Sequence, residues 1–307
     1  MRIVFMGTPD FAVASLKALL DAGENVVAVI TAPDKPAGRG QKINQSAVKV
    51  FALEHNLDVL QPEKLRDPQF IEKLASYQAD LQVVVAFRML PEMVWNMPKM
   101  GTINVHASLL PDYRGAAPIN HAIINGEKFS GVSTFLLQHE IDTGNILLSK
   151  KVEIKETDNA GDLHDKLMHA GAETLIKTID GLRGGNITPI PQRELQEQEI
   201  KHAPKIFKEN CLIDWQKSTE EIYNLIRGLS PYPAAFTHLN QKVLKIYQAE
   251  KIITSHQEQA GKFSTDGKTF LKVATLDGFL NLKTIQLEGK KRMEITDFLK
   301  GYRFEQQ

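Results

Sequence analysis

The chain has 307 residues, 42% hydrophobic and 24% charged, enough for two globular domains with apolar cores. Its 37 basic side chains balance 37 acidic ones, for a formal net charge of zero; this excludes a uniformly cationic nucleic-acid binder but not a local basic patch. One cysteine, Cys211, rules out an internal disulfide and points to a reducing compartment, and with no signal-peptide pattern or bilayer-length apolar run the expected location is the cytoplasm, away from membranes.

Apolar strand-like runs alternate with helix-period segments through the first half, the signature of a parallel sheet with crossover helices. Ile3–Met6 reads as a strand, Phe11–Leu20 as a helix that Gly23 ends, and Val26–Ile30 as a second strand. Residues 31–42 are dense in proline, glycine and base and read as a loop. Ser46–His55 and Gln69–Tyr77 read as helices, Val59–Leu60 as a short strand, and Leu81–Phe87 and Thr102–His106 as further strands. Gly131–Leu137 and Ile146–Ile154 look like a mixed or antiparallel extension, with turn chemistry between them at Asp142, Thr143 and Gly144. A long helix, Asp162–Leu182, precedes the glycines at 184 and 185.

Residues 187–204 hold three prolines with many Gln and Glu and no clear period; they read as an inter-domain linker. Beyond it, strand-like runs such as Val243–Tyr247, Phe270–Val273 and Leu280–Ile285 are separated by polar turns, and one helix near Thr219–Gly228 interrupts the strand-like region. A small β-barrel fits, and a five-stranded oligonucleotide-binding (OB) barrel is one option.

Parallel sheets place ligands at the carboxyl ends of their strands. The first strand ends in Gly7, Thr8, Pro9 and Asp10, with one glycine only, so the dinucleotide fingerprint is absent. Strand alternation instead points Asn104 and His106 to one face and Val105 to the other. The Asp142 turn can bring a carboxylate to that imidazole. An amide to hold an oxygen, an imidazole to move protons and an acid to orient it are the parts that acyl transfer needs. From spacing alone, a strand-end histidine satisfied by a backbone carbonyl stands level with this reading. The remaining histidines lack such company, and no pair shows zinc-site spacing, so no metal is expected.

The run Ile103-Asn104-Val105-His106-Ala107-Ser108-Leu109-Leu110-Pro111, followed by Tyr113-Arg114-Gly115-Ala116-Ala117-Pro118-Ile119, resembles the 10-formyltetrahydrofolate-dependent formyltransferase family. Residues 5–11, 33–40, 142–144 and 229–235 match in the family's order, so the resemblance covers nearly the whole chain and is closest to the branch acting on methionyl-tRNA. It implies a Rossmann-like α/β catalytic domain (residues 1–186), a linker (187–204) and an OB-like β-barrel domain (205–307). It implies 10-formyltetrahydrofolate as co-substrate and methionyl-initiator tRNA as acceptor; a monomer is expected, although the sequence does not itself set the oligomeric state. Asn104, His106 and Asp142 are then catalytic. Ser108, Leu109, Leu110 and Pro111, with Phe87, Met89 and Leu90, are then expected at the folate. The family often has Ala-Tyr-Gly-Leu-Ile-Leu-Pro after the fourth strand; here Ala86–Pro91 is one residue shorter, with Arg88 in place of glycine, which leaves the shape of the pterin pocket open.

For tRNA, the candidates are Lys35, Arg39 and Lys42 in the basic loop and Lys290, Lys291 and Arg292, the densest basic run. By themselves the loop cations read as a solvated surface, and the run reads equally as a phosphate contact or a polar turn. From Lys205 onward, 16 basic residues face 12 acidic ones. The rival readings are a formyltransferase for a small amine, a hydrolase releasing formate from the folate, and an RNA-binding barrel beside a dead folate domain. Such a hydrolase often carries a segment before its sheet, whereas here the first strand begins at residue 2.

Overall fold

A computed structural model describes residues 1–37, 42–195 and 199–303, with the backbone alone for 37, 42 and 43. The chain divides into two compact units. The first comprises Met1–Gly115, Ser130–Glu153 and His164–His202; the second comprises Ala116–Phe129, Ile154–Leu163 and Ala203–Gln307. No helix among the described residues is long and apolar enough to cross a membrane.

The elements follow the sequence pattern closely. They begin with β1 (Arg2–Gly7), α1 (Asp10–Asp21), β2 (Asn25–Ile30), β3 (Lys35–Ala37), β4 (Lys42–Asn44), α2 (Ala47–Glu54), β5 (Val59–Leu60) and α3 (Pro68–Ser76). Then come β6 (Leu81–Val85), α4 (Glu92–Trp95), β7 (Thr102–His106), β8 (Arg114–Gly115), α5 (Pro118–Ile124), β9 (Phe129–Leu136), β10 (Ile146–Glu153) and α6 (Ala160–Gly184). Gly23 ends α1 with φ +72°, a backbone angle that glycine adopts without a Cβ penalty. Ser46 caps α2 by accepting a bond from the Lys49 N–H at 3.0 Å, and Asp67 caps α3 just before a proline in its first turn.

Seven strands form one sheet in the order β10-β9-β7-β6-β1-β2-β5. The β1–β2, β1–β6, β2–β5 and β6–β7 pairs are parallel, and β7–β9 is antiparallel. β6 is buried at all five positions, as a strand covered on both faces should be. Two expectations change. The stretch expected as a loop at 31–42 instead carries β3 and runs into β4, which pair antiparallel from Lys35 to Asn44, a separate two-stranded ribbon in which Pro36 is tolerated at an edge. β6 stops at Val85 because Ala86 turns to φ +47°, so Phe87 belongs to the loop and not to the strand.

In the second unit β11 (His202–Ala203) leads to α7 (Thr219–Gly228), β12 (Ala235–Leu239), β13 (Lys242–Ile253), β14 (Phe263–Thr265), β15 (Leu271–Ala274), β16 (Gly278–Leu287), β17 (Met293–Glu294) and α8 (Ile295–Gly301). Ser218 and Glu221 form a reciprocal capping box at the start of α7. The sheet is antiparallel in the order β12-β13-β16-β15-β14, with β17 on β16. Register shifts near Gln248 bend the long β13, and the curled sheet is a half-barrel. Its concave side packs Leu244, Ile246, Leu271, Val273, Leu280 and Leu282 against Ile222 and Ile226 of α7. Helices α5 and α8 carry no period strong enough to read from sequence.

Candidate active site

The site grows from the carboxyl end of β7. A Cβ built on Gly171 of α6 would lie 3.1 Å from Val105 Cγ1, so Val105 faces α6 and Asn104 and His106 take the other face of the strand. Asn104 lies between Val84 of β6 and Phe135 of β9, and His106 lies opposite Ser133. Asn104 is half-buried, and among the described residues its side-chain amide has no hydrogen-bond partner. That is a donor held by rigid strands and left free for another molecule.

His106 is buried, and its Nε2 lies 2.9 Å from the Tyr113 carbonyl oxygen. A carbonyl only accepts, so Nε2 carries the hydrogen and Nδ1 of the neutral ring holds the lone pair. Nδ1 faces Asp142, whose Oδ2 is 3.9 Å away. That separation serves charge compensation better than a direct hydrogen bond. Asp142 adopts φ +55°, a left-handed angle that aspartate tolerates better than most residues. Its Oδ2 accepts the Gly115 backbone N–H at 3.1 Å.

The turn after β7 is fixed by one buried hydroxyl. Ser133 Oγ donates to the Ser108 carbonyl (2.8 Å), accepts from Leu110 N–H (3.1 Å) and meets Ser149 Oγ at 3.0 Å. Ser108 Oγ donates to the Asp112 carbonyl at 2.7 Å. Leu110 packs with Phe135 and Ile146, and a Cβ on Gly131 would lie 2.4 Å from Leu109 Cδ2. These leucines anchor the turn in the protein, and half-buried Pro111, with the backbone groups that Ser133 and Asp112 do not engage, is what remains for a ligand.

The loop after β6 shapes a cleft of about 460 Å³ lined by Leu65, Arg66, Met89, Leu90, Pro91, Glu92, Trp95 and His139, within the usual size of small-molecule sites. Met89 is 73% exposed, whereas Leu90 is buried in the wall. Phe87 packs into the core beneath, with the Arg88 guanidinium 5.5 Å over its ring. Arg88 Nη1 donates to the Glu63 carbonyl at 2.9 Å, and Nη2 donates to that of Pro62. In place of the family's glycine, Arg88 thus ties this short loop to the segment before α3; burial pulls its pKa down. The catalytic candidates are not in the cleft lining. They adjoin it through the segment that carries both His139 and Asp142.

The basic candidates differ in setting. Lys35 is exposed on β3. Arg39 and the Lys42 side chain lie outside the described residues. Lys290, Lys291 and Arg292 are exposed on the β16–β17 turn, with the Arg292 guanidinium 4.2 Å over the Tyr247 ring. Cys211 is buried, and burial pushes its thiol pKa up. No cluster of three or more His, Cys, Asp or Glu suited to a metal occurs among the described residues.

Sequence reasoning does not assign the parts that hold the site: the Tyr113 carbonyl, the Gly115 N–H, Ser133, Arg114 and Gln192. It gives no role to His139 either, yet this residue lines the cleft, 3.4 Å from Glu92 and edge-on to Trp95. Backbone groups leave no mark in a one-letter sequence. Arg114 and Gly115 at least lie inside the family motif. Gln192 sits in a polar stretch that carries no signal.

Known proteins bear on this arrangement directly. The formyl transferase family profile matches residues 1–179, and the formyl transferase C-terminal domain profile matches 205–303. A methionyl-tRNA formyltransferase of Phocaeicola vulgatus is 57% identical over 311 residues, covering 99% of this chain and 96% of the relative. One from Bacteroides fragilis is 54% identical, covering 98% and 95%. Among solved structures, an N-formyltransferase of Helicobacter canadensis in complex with folinic acid and dTDP-3-aminofucose superposes with a TM-score of 0.66 at 21% identity, covering 95% of this chain and 99% of that one. HypX of Aquifex aeolicus in complex with tetrahydrofolic acid gives 0.65 at 19% identity, covering 98% and 48%. At such identities these structures share the fold.

Proposed function

The chain belongs to the formyl transferase family, and from that premise we propose that it moves the formyl group of 10-formyltetrahydrofolate onto the α-amine of methionyl-initiator tRNA. The product is the N-formylmethionyl-tRNA that starts protein synthesis. Relatives at 50–57% identity over nearly the full chain carry the tRNA formyltransferase name, and this supports the choice of acceptor. The observation that carries the chemistry is the free Asn104 amide beside an imidazole whose Nε2 is already committed to Tyr113.

The folate enters as a substrate, and the residues present fit one. Met89, Leu90, Pro91 and Trp95 give the cleft apolar surface for a flat ring, and Pro111 of the turn after β7 is half-buried and open to a ligand. The folate supplies an activated formyl carbon. The acceptor amine attacks only when unprotonated, and an α-amino group titrates near pH 7.7–8.0, so a mild base suffices. Asn104 donates to the formyl oxygen as negative charge gathers there. Nδ1 of His106 takes the proton released when the amine nitrogen bonds to carbon. The Asp142 carboxylate, 3.9 Å away, then faces a cation and balances it. His106 returns the proton to the nitrogen from which the formyl group departs.

On this reading residues 1–186, with the stretch up to His202 packed in the same unit, carry the formyl transfer, and 205–307 with the basic loop contact the tRNA. The protein acts as a cytoplasmic monomer and without a metal. Product identification tests the function: purified protein with 10-formyltetrahydrofolate is offered charged initiator tRNA, free methionine, or no acceptor. Formylmethionyl-tRNA as the only product supports the proposal. Formate released without acceptor, or formylation of the free amine alone, overturns it.

A further inference from the structure

The segment after α6 enters the catalytic neighbourhood with one side chain. Ile190 is paired with Ile146 at the start of β10 through two backbone hydrogen bonds of 2.8 Å. Two residues later Gln192 begins a short 3-10 turn (Gln192–Glu194), and its side chain is 3% exposed. Gln192 Nε2 donates to the Asp142 and Gly144 carbonyls, both at 2.8 Å. Its Oε1 accepts from Arg114 Nε at 2.9 Å and from Nη2 at 2.6 Å. Carbonyls only accept and a guanidinium only donates, so the amide orientation is fixed and both donors and both lone pairs are used.

What these four bonds hold is the turn that aims the Asp142 carboxylate. Asp142 sits in a left-handed conformation that its own backbone does not prefer, and such a residue persists where its surroundings over-determine it. Gly115 N–H grips the carboxylate from one side, and Gln192 grips the backbone from the other. Arg114 precedes Gly115, so one amide ties the residue beside the carboxylate's donor to the carbonyls that flank the carboxylate. Farther along the same segment, the Lys201 carbonyl accepts the Tyr113 N–H at 2.5 Å, and the Lys201 N–H donates to Asp112 Oδ1 at 3.0 Å. Tyr113 is the residue whose carbonyl fixes the His106 ring.

We propose that Gln192 is a positioning residue for formyl transfer, whose side-chain amide fixes the Asp142–Gly144 turn and the Arg114 guanidinium in the geometry that sets Asp142 against His106. It touches neither substrate. Its effect therefore falls on turnover while leaving substrate binding alone, and a misplacement of about 1 Å at a reacting group costs rate steeply. The proposal rests on the formyl-transfer reading, and the unaltered protein in the same assay separates failure of one from failure of the other.

The test compares Gln192→Met, which keeps the volume and removes all four bonds, with Gln192→Glu, which still accepts from Arg114 but cannot donate to the turn. Arg193→Gln, an exposed neighbour in the same 3-10 turn, serves as control. Formylation of charged initiator tRNA is measured with both substrates varied, and turnover is normalised to folded protein by near-UV circular dichroism. The expected result is that both Gln192 variants lose roughly tenfold or more in kcat. KM for the folate donor and for tRNA stays within about threefold of the unaltered value, and Arg193→Gln keeps its full turnover. A Gln192→Glu protein with unaltered kcat, or losses confined to KM or to the folded fraction, overturns the proposal. Should Gln192→Met fail to fold, the glutamate variant decides alone.

Discussion

The end of β7 and the β16–β17 turn are built on opposite plans. Around His106 the groups are buried or half-buried, and nearly every one has a partner: the ring on Tyr113, the Asp142 carboxylate on Gly115, the neighbouring turns on Ser133 and Gln192. Among the described residues the Asn104 amide has no such partner. Around Lys290 the cations stand exposed, and Arg292 leans on Tyr247. A preorganised, partly desolvated site acts on developing charge with little reorganisation, so its groups bear on turnover. Exposed cations are screened by salt and hold a phosphate backbone loosely, so theirs bear on affinity. Zero net charge over the whole chain is compatible with both, because placement and not the total decides what each charge does.

If that contrast holds, variants at the two regions separate by size and by the parameter they move. The largest effect is expected at Asp142. Asp142→Ala should lower kcat roughly a hundredfold or more at saturating substrates, with the thermal midpoint little changed, as steady-state kinetics beside a melting curve would register. Gly144→Ala follows. A Cβ there would lie 1.6 Å from the Leu136 carbonyl oxygen, so the turn must move and carry Asp142 with it; a loss of about tenfold or more in kcat is expected.

Ser133→Ala comes next. It leaves the Ser108 carbonyl and the Leu110 N–H without their partner in a buried site, which costs about 1–3 kcal/mol in unfolding free energy per unsatisfied group. Denaturant titration measures that, and KM for the folate should rise more than KM for tRNA. Replacing Lys290, Lys291 and Arg292 together by alanine has the smallest effect on rate. KM for tRNA should rise by roughly three- to tenfold, with kcat unchanged, and the slope of binding against salt should flatten by about one for each phosphate that is no longer engaged. A fall in kcat in this triple variant would break the contrast.

Much of this architecture is legible in the sequence. The hydrophobic period places β1, β2, β6 and β7 and the long α6, and the helix expected near Thr219–Gly228 is α7. The same alternation puts Asn104 and His106 on one face. The β3–β4 ribbon is hidden by its prolines and glycines, and the end of β6 by an alanine that turns left-handed. What periodicity cannot register is which backbone atoms support a side chain. Nothing in the one-letter code says that Tyr113 offers its carbonyl to His106. Gln192 shows the limit most clearly. Its neighbours Pro189, Pro191, Glu194 and Gln196 read as linker, and only the folded chain brings that one amide under Asp142. The leucines of the Ser108–Pro111 segment mark the other limit: apolar residues near a ligand site can serve the core, as Leu110 does against Phe135 and Ile146.

In this mechanism the amide of Asn104 stabilises the charge that develops on the formyl oxygen. The most direct test is kcat of Asn104→Ala with 10-formyltetrahydrofolate and methionyl-initiator tRNA both saturating. A fall of roughly a hundredfold or more, with the thermal midpoint and both KM values close to those of the unaltered protein, is the predicted result. Full turnover in that variant would contradict the account.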